Sequence, residues 1–154
     1  MSNDNINVFQ TQPYRWQGID ELIYKDEVGN PSFKDVTRHK LFSENDPQGF
    51  EVRYFEVSPG GHTTLEKHEH IHIVIPIRGS GFCLVGSEIV KLEVNNLLHV
   101  PSWQWHQFRA SENESLGFMC LVKVERDRPT LPTIEEINKL KENKAVAEYI
   151  RTKN

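Results

Sequence analysis

The sequence is short of cysteine, of long apolar runs and of basic stretches, and each shortage excludes a class of protein. Its 154 residues include two cysteines, which are too few for a disulfide framework. Its apolar runs are far shorter than the roughly 20 residues that span a bilayer. A net charge of −4 without a basic run argues against a nucleic-acid partner. We therefore expect a reduced, cytoplasmic protein with no nucleic-acid or membrane partner.

The length suits one domain, and both ends of the chain differ in character from its middle. Residues 1–12 are polar and lack a charged segment followed by an apolar core, which predicts a disordered or loosely packed segment and not a signal peptide. Residues 13–128 are expected to form the barrel, and residues 129–154 a helical tail. In this tail Thr133 and Glu136 match a capping box, and Asn143 is the expected break between two helices.

Short apolar segments separated by turn signals about every ten residues predict an all-β barrel or sandwich. Strands are expected over residues 33–42, 50–57 and 116–124. The segment from Arg78 to Gly81 contains two glycines and is expected to form a hairpin turn.

A histidine-rich stretch between Gly60 and Gly81 is the part of the chain most suggestive of chemistry. From residue 66 to residue 73 ionisable and apolar residues are interleaved, which predicts a strand whose alternate side chains share a face. Three imidazoles and a carboxylate on one face are costly to bury unless they have a partner. A divalent metal fits them, since its common ligands are imidazole and carboxylate. The residues on that face are Glu66, His68, His70 and His72.

The spacing of this stretch resembles the first motif of the cupin family. That motif runs from a glycine through two histidines and a glutamate to a second glycine. Gly60, Glu66, His68, His72 and Gly79 keep its spacing. Glu66 stands where the first histidine is usual, and His72 stands where the glutamate is usual, so the carboxylate and one imidazole are exchanged.

The second cupin motif is matched further along the chain. Asn95, Pro101, Trp103 and His106 keep its spacing, with Asn95 and Trp103 in place of its two glycines. The resemblance covers about residues 50–124. It implies an all-β cupin fold, a double-stranded β-helix or jelly-roll barrel, followed here by a helical appendage.

The resemblance also implies a metal site made of Glu66, His68, His72 and His106. These four residues retain the usual three imidazoles and one carboxylate. Four protein ligands leave open positions on an octahedral Mn, Fe, Ni or Co ion, whereas they would fill a tetrahedral Zn site. The sequence does not identify the metal. It also leaves open whether His70 lies beside the ligands or replaces Glu66 among them.

A narrower resemblance extends over more of the chain. The segments RYFEVSPGGH, LEKHEHIHIVIPIRGSG, VPSWQWHQFRA and ERDRPTLP are similar to a small subgroup of bacterial cupins that includes methylthioxylulose 5-phosphate sulfurylase. The resemblance implies metal-assisted enolisation of a ketose phosphate, removal of sulfur by a cysteine and a thiol as reductant.

Several further residues are candidates for catalysis. Cys120 is either a nucleophile that faces the cavity or a small buried apolar residue. His70 is either a catalytic group or a pocket histidine. His62 follows two glycines and either faces the mouth of the barrel or is a solvated loop residue.

Four other residues are candidates for substrate binding. Arg53 suits a phosphate or a carboxylate because its guanidinium is bidentate, and the alternative is an outer salt bridge. Trp103 and Trp105 either wall the pocket or pack elsewhere. Gln107 would orient a ligand or the substrate.

Three functional classes remain open from the sequence. The first is a metal-dependent enzyme acting on a small polar substrate such as a methylthio-ketose phosphate. The second is a metal-dependent dioxygenase with the same ligands, and the third is a non-catalytic cupin that binds or senses a small ligand. An arginine or lysine facing the cavity would favour the first class, and a wholly apolar cavity would favour the others. The family resemblance also implies a homodimer.

Overall fold

The computed structural model describes residues 12–25 and 32–152, which form a β-barrel followed by two short helices. All but the last residue of segment 1–12 lies outside the described residues. The expected all-β barrel with a helical appendage is confirmed. The strands are β1 (Leu22–Ile23), β2 (Lys34–Ser43), β3 (Phe50–His62), β4 (His72–Val85), β5 (Glu88–Glu93), β6 (Leu98–Val100), β7 (His106–Ala110) and β8 (Leu116–Lys123), and the helices are α1 (Ile134–Leu140) and α2 (Lys144–Tyr149).

The barrel closes because four strands pair in a ring. β3 pairs with β8, β8 pairs with β4, β4 pairs with β7, and β7 returns to β3, all antiparallel. β2 extends the sheet on the other edge of β3, and β1 continues it. Closure removes the exposed edges of these strands and leaves an interior that side chains fill from all sides.

Alternation along β3 and β8 separates an apolar interior from a polar end. On β3 the inward side chains run from Glu51 and Arg53 to Phe55 and Val57, and all four are buried. On β8 Cys120 is the partner of Arg53, so the two side chains share a face. These polar side chains therefore project from the same regular strands that supply the apolar core.

The predicted strand over residues 66–73 is wrong for most of its length. Strand β4 begins only at His72, and before it there are only isolated bridges at Glu66 and Lys67. The backbone amides of Glu69 and His70 donate to the carboxylate of Asp127, at 2.7 and 3.1 Å, in place of a strand partner. A carboxylate far away in the sequence therefore accepts the backbone hydrogen bonds that a neighbouring strand would otherwise have accepted.

The predicted hairpin turn from Arg78 to Gly81 is also wrong, because β4 runs through it without reversing. Gly79 has a φ of +62°, and a Cβ on this residue would collide with the carbonyl oxygen of Ser115. A Cβ on Gly81 would meet the carbonyl oxygen of Arg109. The glycines therefore allow neighbouring backbone to approach a bent strand closely, and do not mark a turn.

The helical tail forms as its capping pattern predicts. Thr133 and Glu136 make both hydrogen bonds of a capping box at the start of α1, and Asn143 caps α2. Val146, Tyr149 and Ile150 pack with Leu65 and Leu84 in an apolar cluster that joins the tail to the barrel. Neither helix in the described part of the chain is long and apolar enough to cross a membrane.

Candidate metal centre and substrate cavity

Three histidines from different parts of the fold converge inside the barrel. His68 lies in the irregular segment before β4, His72 begins β4, and His106 begins β7. Their candidate ligand nitrogens all lie within 4.8 Å of one another, and all three residues are buried. Residues that are far apart in the chain thus form one cluster of N donors, as a metal site needs.

Hydrogen bonds orient two of these rings. Nδ1 of His68 lies 2.7 Å from the carbonyl oxygen of His70, and Nδ1 of His106 lies 3.0 Å from that of Gln104. A carbonyl oxygen can only accept, so each Nδ1 carries the hydrogen. In a neutral imidazole the other nitrogen, Nε2, then has the lone pair that a metal requires.

Burial keeps the rings neutral. Loss of water around them, followed by the mutual proximity of the imidazoles, lowers the pKa of His68 to about 4 and that of His72 well below its usual value. Burial also lowers the pKa of His106 to about 4. Neutral imidazole is the form that binds a metal. Nε2 of His68 is buried without a hydrogen-bond partner among the described residues, as expected of a group whose partner is an ion. The donor set therefore fits a divalent metal.

Glu66 lies beside this cluster. One carboxylate oxygen, Oε1, is 4.0 Å from Nε2 of His106, and the other contacts the ammonium of Lys25. Glu66 is buried and lines the same cavity as the three histidines. Its position is compatible with the fourth ligand, while Lys25 compensates its charge.

His70 belongs to a second arrangement next to the first. Its ring stacks on that of His68 with centroids 3.6 Å apart, and its Nδ1 is 2.7 Å from Oδ1 of Asp127. His68, His70 and Asp127 also form a candidate cluster of ligand atoms. The carboxylate of Asp127, however, already accepts from His70 and from two backbone amides. The three-histidine cluster is the better metal site because its nitrogens are less committed.

Cys120 faces the cavity and joins the histidines to Arg53. Its Sγ lies 3.2 Å from Nδ1 of His72 and 3.5 Å from Nη2 of Arg53. Burial raises the pKa of the Cys120 thiol, and the neighbouring guanidinium opposes this rise. The sequence left open whether this cysteine belongs to the core or the cavity, and its side chain lines the cavity.

The cavity is large and charged. Its volume is about 520 Å³, which is sufficient for a small metabolite. Six basic and three acidic side chains line it, although the whole chain has a net charge of −4. Apolar walls come from Phe55, Phe108 and Phe118. The charged residues are Lys25, Arg38, Lys40, Arg53, Arg126, Arg128, Glu51, Glu66 and Asp127.

Four of the candidate residues do not line this cavity. His62 ends β3 and is half-buried, with Nδ1 3.0 Å from the carbonyl oxygen of Thr63. Trp103 is 52% exposed, and Trp105 packs with the helical tail under the ammonium of Lys67. Gln107 is fully buried and binds backbone groups of Thr63 and Arg151.

Sequence reasoning missed the acidic partners of the site. Asp127 follows β8 and orients His70, and Glu51 begins the inward face of β3. Asp127 stands between two arginines in the segment ERDRP, which resembles an ordinary solvated loop. For Glu51 the alternation along β3 was a usable signal, since this residue lies two positions before Arg53 and four before Phe55.

Comparison with protein families agrees with this architecture. Residues 53–122 match the Cupin_2 family, described as a cupin domain. The match spans β3 to β8 and contains every histidine of the cluster. It therefore covers the closed part of the barrel and the candidate metal centre.

Two bacterial relatives are similar over nearly the whole chain. A curated protein of Rhodospirillum rubrum named 1-methylthio-D-xylulose 5-phosphate methylsulfurylase is 48% identical over 97% of this chain and 95% of its own. The crystal structure of a cupin 2 conserved barrel domain protein from Rhodopseudomonas palustris is 43% identical, with a TM-score of 0.87 over 96% of this chain and 99% of its own.

A cupin-2 domain from Rhodospirillum rubrum, known from its crystal structure, is also similar to this chain. The crystal structure of this cupin-2 domain is 48% identical and has a TM-score of 0.81 over 92% of the present chain and 93% of its own. The coverage in all three comparisons is larger than the barrel alone.

Proposed function

This chain belongs to the Cupin_2 family, and from that premise we propose that it is a metal-dependent enzyme that removes the methylthio group from a ketose phosphate. The observation that carries the proposal is the contact of Cys120 Sγ with Nδ1 of His72, at 3.2 Å, inside a cavity rich in basic residues. The relative named as a methylsulfurylase supports the same chemistry at 48% identity.

We assign the metal site to Glu66, His68, His72 and His106. The three neutral imidazoles and one carboxylate form a ligand set with one negative charge, which partly compensates a divalent ion. A divalent Mn, Fe, Ni, Co or Zn ion bound there would supply Lewis-acid polarisation of the ketose oxygens.

Proton transfer is assigned to His70. Its Nδ1 donates to Asp127, so Nε2 of the neutral ring is free to take up a proton and pass it on. Asp127 holds the ring in that orientation. Burial lowers the pKa of His70, although the hydrogen bond to Asp127 opposes the shift, so the ring is available as a base near neutral pH.

Cys120 is assigned as the sulfur acceptor. After His70 takes its proton, Sγ attacks the methylthio sulfur of the substrate, and the bond from that sulfur to carbon 1 breaks. The electron pair of that bond passes to carbon 1, next to the carbonyl, and carbon 1 takes the proton from His70. The products of this step are a deoxyketose phosphate and a methyl disulfide on Cys120. Nη2 of Arg53, 3.5 Å from Sγ, stabilises the thiolate before attack.

A small thiol then has to restore the enzyme. One thiol attacks the mixed disulfide and releases methanethiol, and a second thiol reduces Cys120 and leaves as a disulfide. Two electrons thus pass from the two thiols to carbon 1, which gains the hydrogen. The cavity has to admit the thiol, and its volume of about 520 Å³ is adequate.

The charged lining favours this function over the other two classes. A dioxygenase would use the same ligands with a redox-active ion, and a binding protein would need no nucleophile. Cys120 and Arg53 face the cavity and contact each other, an arrangement that oxygenation does not require.

Replacement of each cysteine in turn tests the proposal. Cys120→Ala should lower methanethiol release from 1-methylthio-D-xylulose 5-phosphate in the presence of thiol by more than roughly 1000-fold, as loss of a nucleophile does. Cys83→Ala is the matched control, because Cys83 is also free and buried but does not line the cavity. When the unaltered protein is incubated with this substrate in the absence of thiol, mass spectrometry should find one methylthio group on Cys120. Equal methanethiol release by the two variants would refute the proposal.

A further inference from the structure

Glu51 is a buried carboxylate that connects three basic side chains at one end of the cavity. Its oxygens lie 3.3 Å from Nη2 of Arg126, 3.7 Å from Nζ of Lys40 and 3.8 Å from Nε of Arg53. These residues come from β2, β3 and the segment after β8, so three parts of the chain meet at this carboxylate. All four line the cavity.

This cluster contains more positive charge than its own carboxylate compensates. One carboxylate among three cations leaves two positive charges, and the side chain of Glu51 is 7% exposed. Arg128 lines the same cavity and adds to the excess. The excess positive charge at this end of the cavity favours binding of an anion, most of all beside the less exposed guanidinium groups.

One donor in the cluster is left without a hydrogen bond. Nε of Arg53 is buried and has no hydrogen-bond partner among the described residues, since 3.8 Å to Glu51 is too long for one. The same side chain donates from Nη2 to Sγ of Cys120. Arg126 is fixed more firmly, because its Nη1 also donates to the carbonyl oxygens of Lys123 and Val124.

A continuous path of contacts joins this cluster to the candidate metal centre. His72 contacts Cys120, Cys120 contacts Arg53, and Arg53 lies beside Glu51. A substrate that reaches from the imidazoles past Cys120 would therefore bring its far end to the cations. A five-carbon methylthio-ketose phosphate has this distribution of groups, with the carbonyl oxygen and sulfur at one end and the phosphate at the other.

We propose that Lys40, Arg53 and Arg126 form the subsite that binds the phosphate of a phosphomonoester substrate. This inference rests on the proposed function and identifies where the phosphate binds. Glu51 is a positioning residue that holds the three cations together. Guanidinium groups bind phosphate through paired hydrogen bonds, and the side chain of Lys40, 57% exposed, adds a mobile point charge at the edge.

Calorimetric titration of the metal-loaded protein tests the subsite without any sulfur chemistry. The ligands are D-xylulose 5-phosphate, D-xylulose and inorganic phosphate. We expect Arg126→Gln to weaken binding of D-xylulose 5-phosphate by about 10–100-fold, as loss of a hydrogen bond to a charged group does. Lys40→Gln should weaken it by a few-fold, since a mobile exposed charge contributes less. Arg126→Lys should restore part of the loss.

Lys91→Gln is the matched control. Lys91 is an exposed lysine paired with Glu93 at 2.7 Å on β5, outside the cavity, so its replacement removes the same charge without touching the subsite. Binding of D-xylulose should be the same in all variants. Tighter binding of D-xylulose 5-phosphate than of inorganic phosphate supports a substrate subsite.

The outcomes separate this inference from the proposed function. If Lys40→Gln and Arg126→Gln bind D-xylulose 5-phosphate as Lys91→Gln does, the subsite assignment is wrong even if methanethiol is released. If inorganic phosphate binds as tightly as D-xylulose 5-phosphate, the cluster is not a substrate subsite. If the subsite variants weaken binding as expected and no methanethiol forms, the subsite stands and the sulfur chemistry is refuted.

Discussion

At the scale of single residues, the hydrogen bonds of each imidazole decide what that ring can do. His68 and His106 commit Nδ1 to backbone carbonyls, which leaves Nε2 for a metal. His70 commits Nδ1 to Asp127, outside the three-histidine cluster, and its ring lies parallel to that of His68. Three histidines that line one cavity are therefore proposed to have different roles, and the partner that orients each ring makes the difference.

The proposed ligand role of Glu66 leads to a prediction about metal affinity. Glu66→Ala removes the only anionic group of the proposed four, so the ion's charge is less well compensated inside the barrel. We expect the dissociation constant of the metal to rise by more than about 100-fold. This exceeds the roughly 10–100-fold effect of losing a residue that only hydrogen-bonds to a metal ligand. Glu66→His should retain the metal with altered activity. Metal titration followed by elemental analysis measures both effects.

His70→Ala is the control for that experiment, because His70 lines the same cavity but is bonded to Asp127. It should retain its metal at close to one equivalent and lose activity. If His70→Ala loses the metal while Glu66→Ala binds it normally, the ligand set includes His70 in place of Glu66. The second cluster, of His68, His70 and Asp127, would then be the metal centre.

At the scale of elements, β4 is the strand on which both the barrel and the site depend. Its first half pairs with β6 and β8 and carries His72, and its second half pairs with β5 and β7. A register shift between Pro76 and Arg78, followed by Gly79, lets one strand serve both sets of partners. A hairpin at that point would have separated His72 from β7 and His106.

This role of Gly79 predicts the effect of adding a methyl group. Gly79→Ala places an L residue at positive φ and forces its Cβ against the Ser115 carbonyl, so we expect it to destabilise the protein by about 2 kcal/mol or more. Gly18→Ala is the control, because Gly18 has a similar φ of +71° but nothing within 4 Å of the added Cβ. Its cost should be about 1 kcal/mol. Urea unfolding of both variants measures the difference, and equal costs would show that the close approach to Ser115 is unimportant.

At the scale of the whole molecule, the described residues expose several large apolar side chains. Leu97 is 68% exposed, Ile134 77% and Ile23 57%. Burial of such groups against a second copy would be favourable, and we expect the protein to form the homodimer that its family resemblance implies. Gel filtration with light scattering should give a mass of about twice 17.9 kDa. The mass of a single chain at every concentration would contradict this expectation.

Sequence patterns were sufficient to predict the barrel, the candidate metal ligands and the caps of the helical tail. These features depend on short-range patterns. Side chains in a strand alternate between its two faces, turn signals recur about every ten residues, and the capping box of Thr133 and Glu136 spans four residues. Each cupin motif is likewise a local pattern, because its residues lie at set distances from one another along the chain. This spacing therefore selected Glu66, His68, His72 and His106 as candidate ligands even though the predicted strand over 66–73 does not form.

The partners of these side chains emerged only from the tertiary structure. Asp127 reaches His70 across 57 positions, Arg53 reaches Cys120 across 67, and Arg126 reaches Glu51 across 75. No local pattern encodes such pairs, since they depend on which strands become neighbours when the barrel closes. Closure of the barrel brought Cys120 into the cavity beside Arg53 and directed Trp105 and Gln107 to the helical tail.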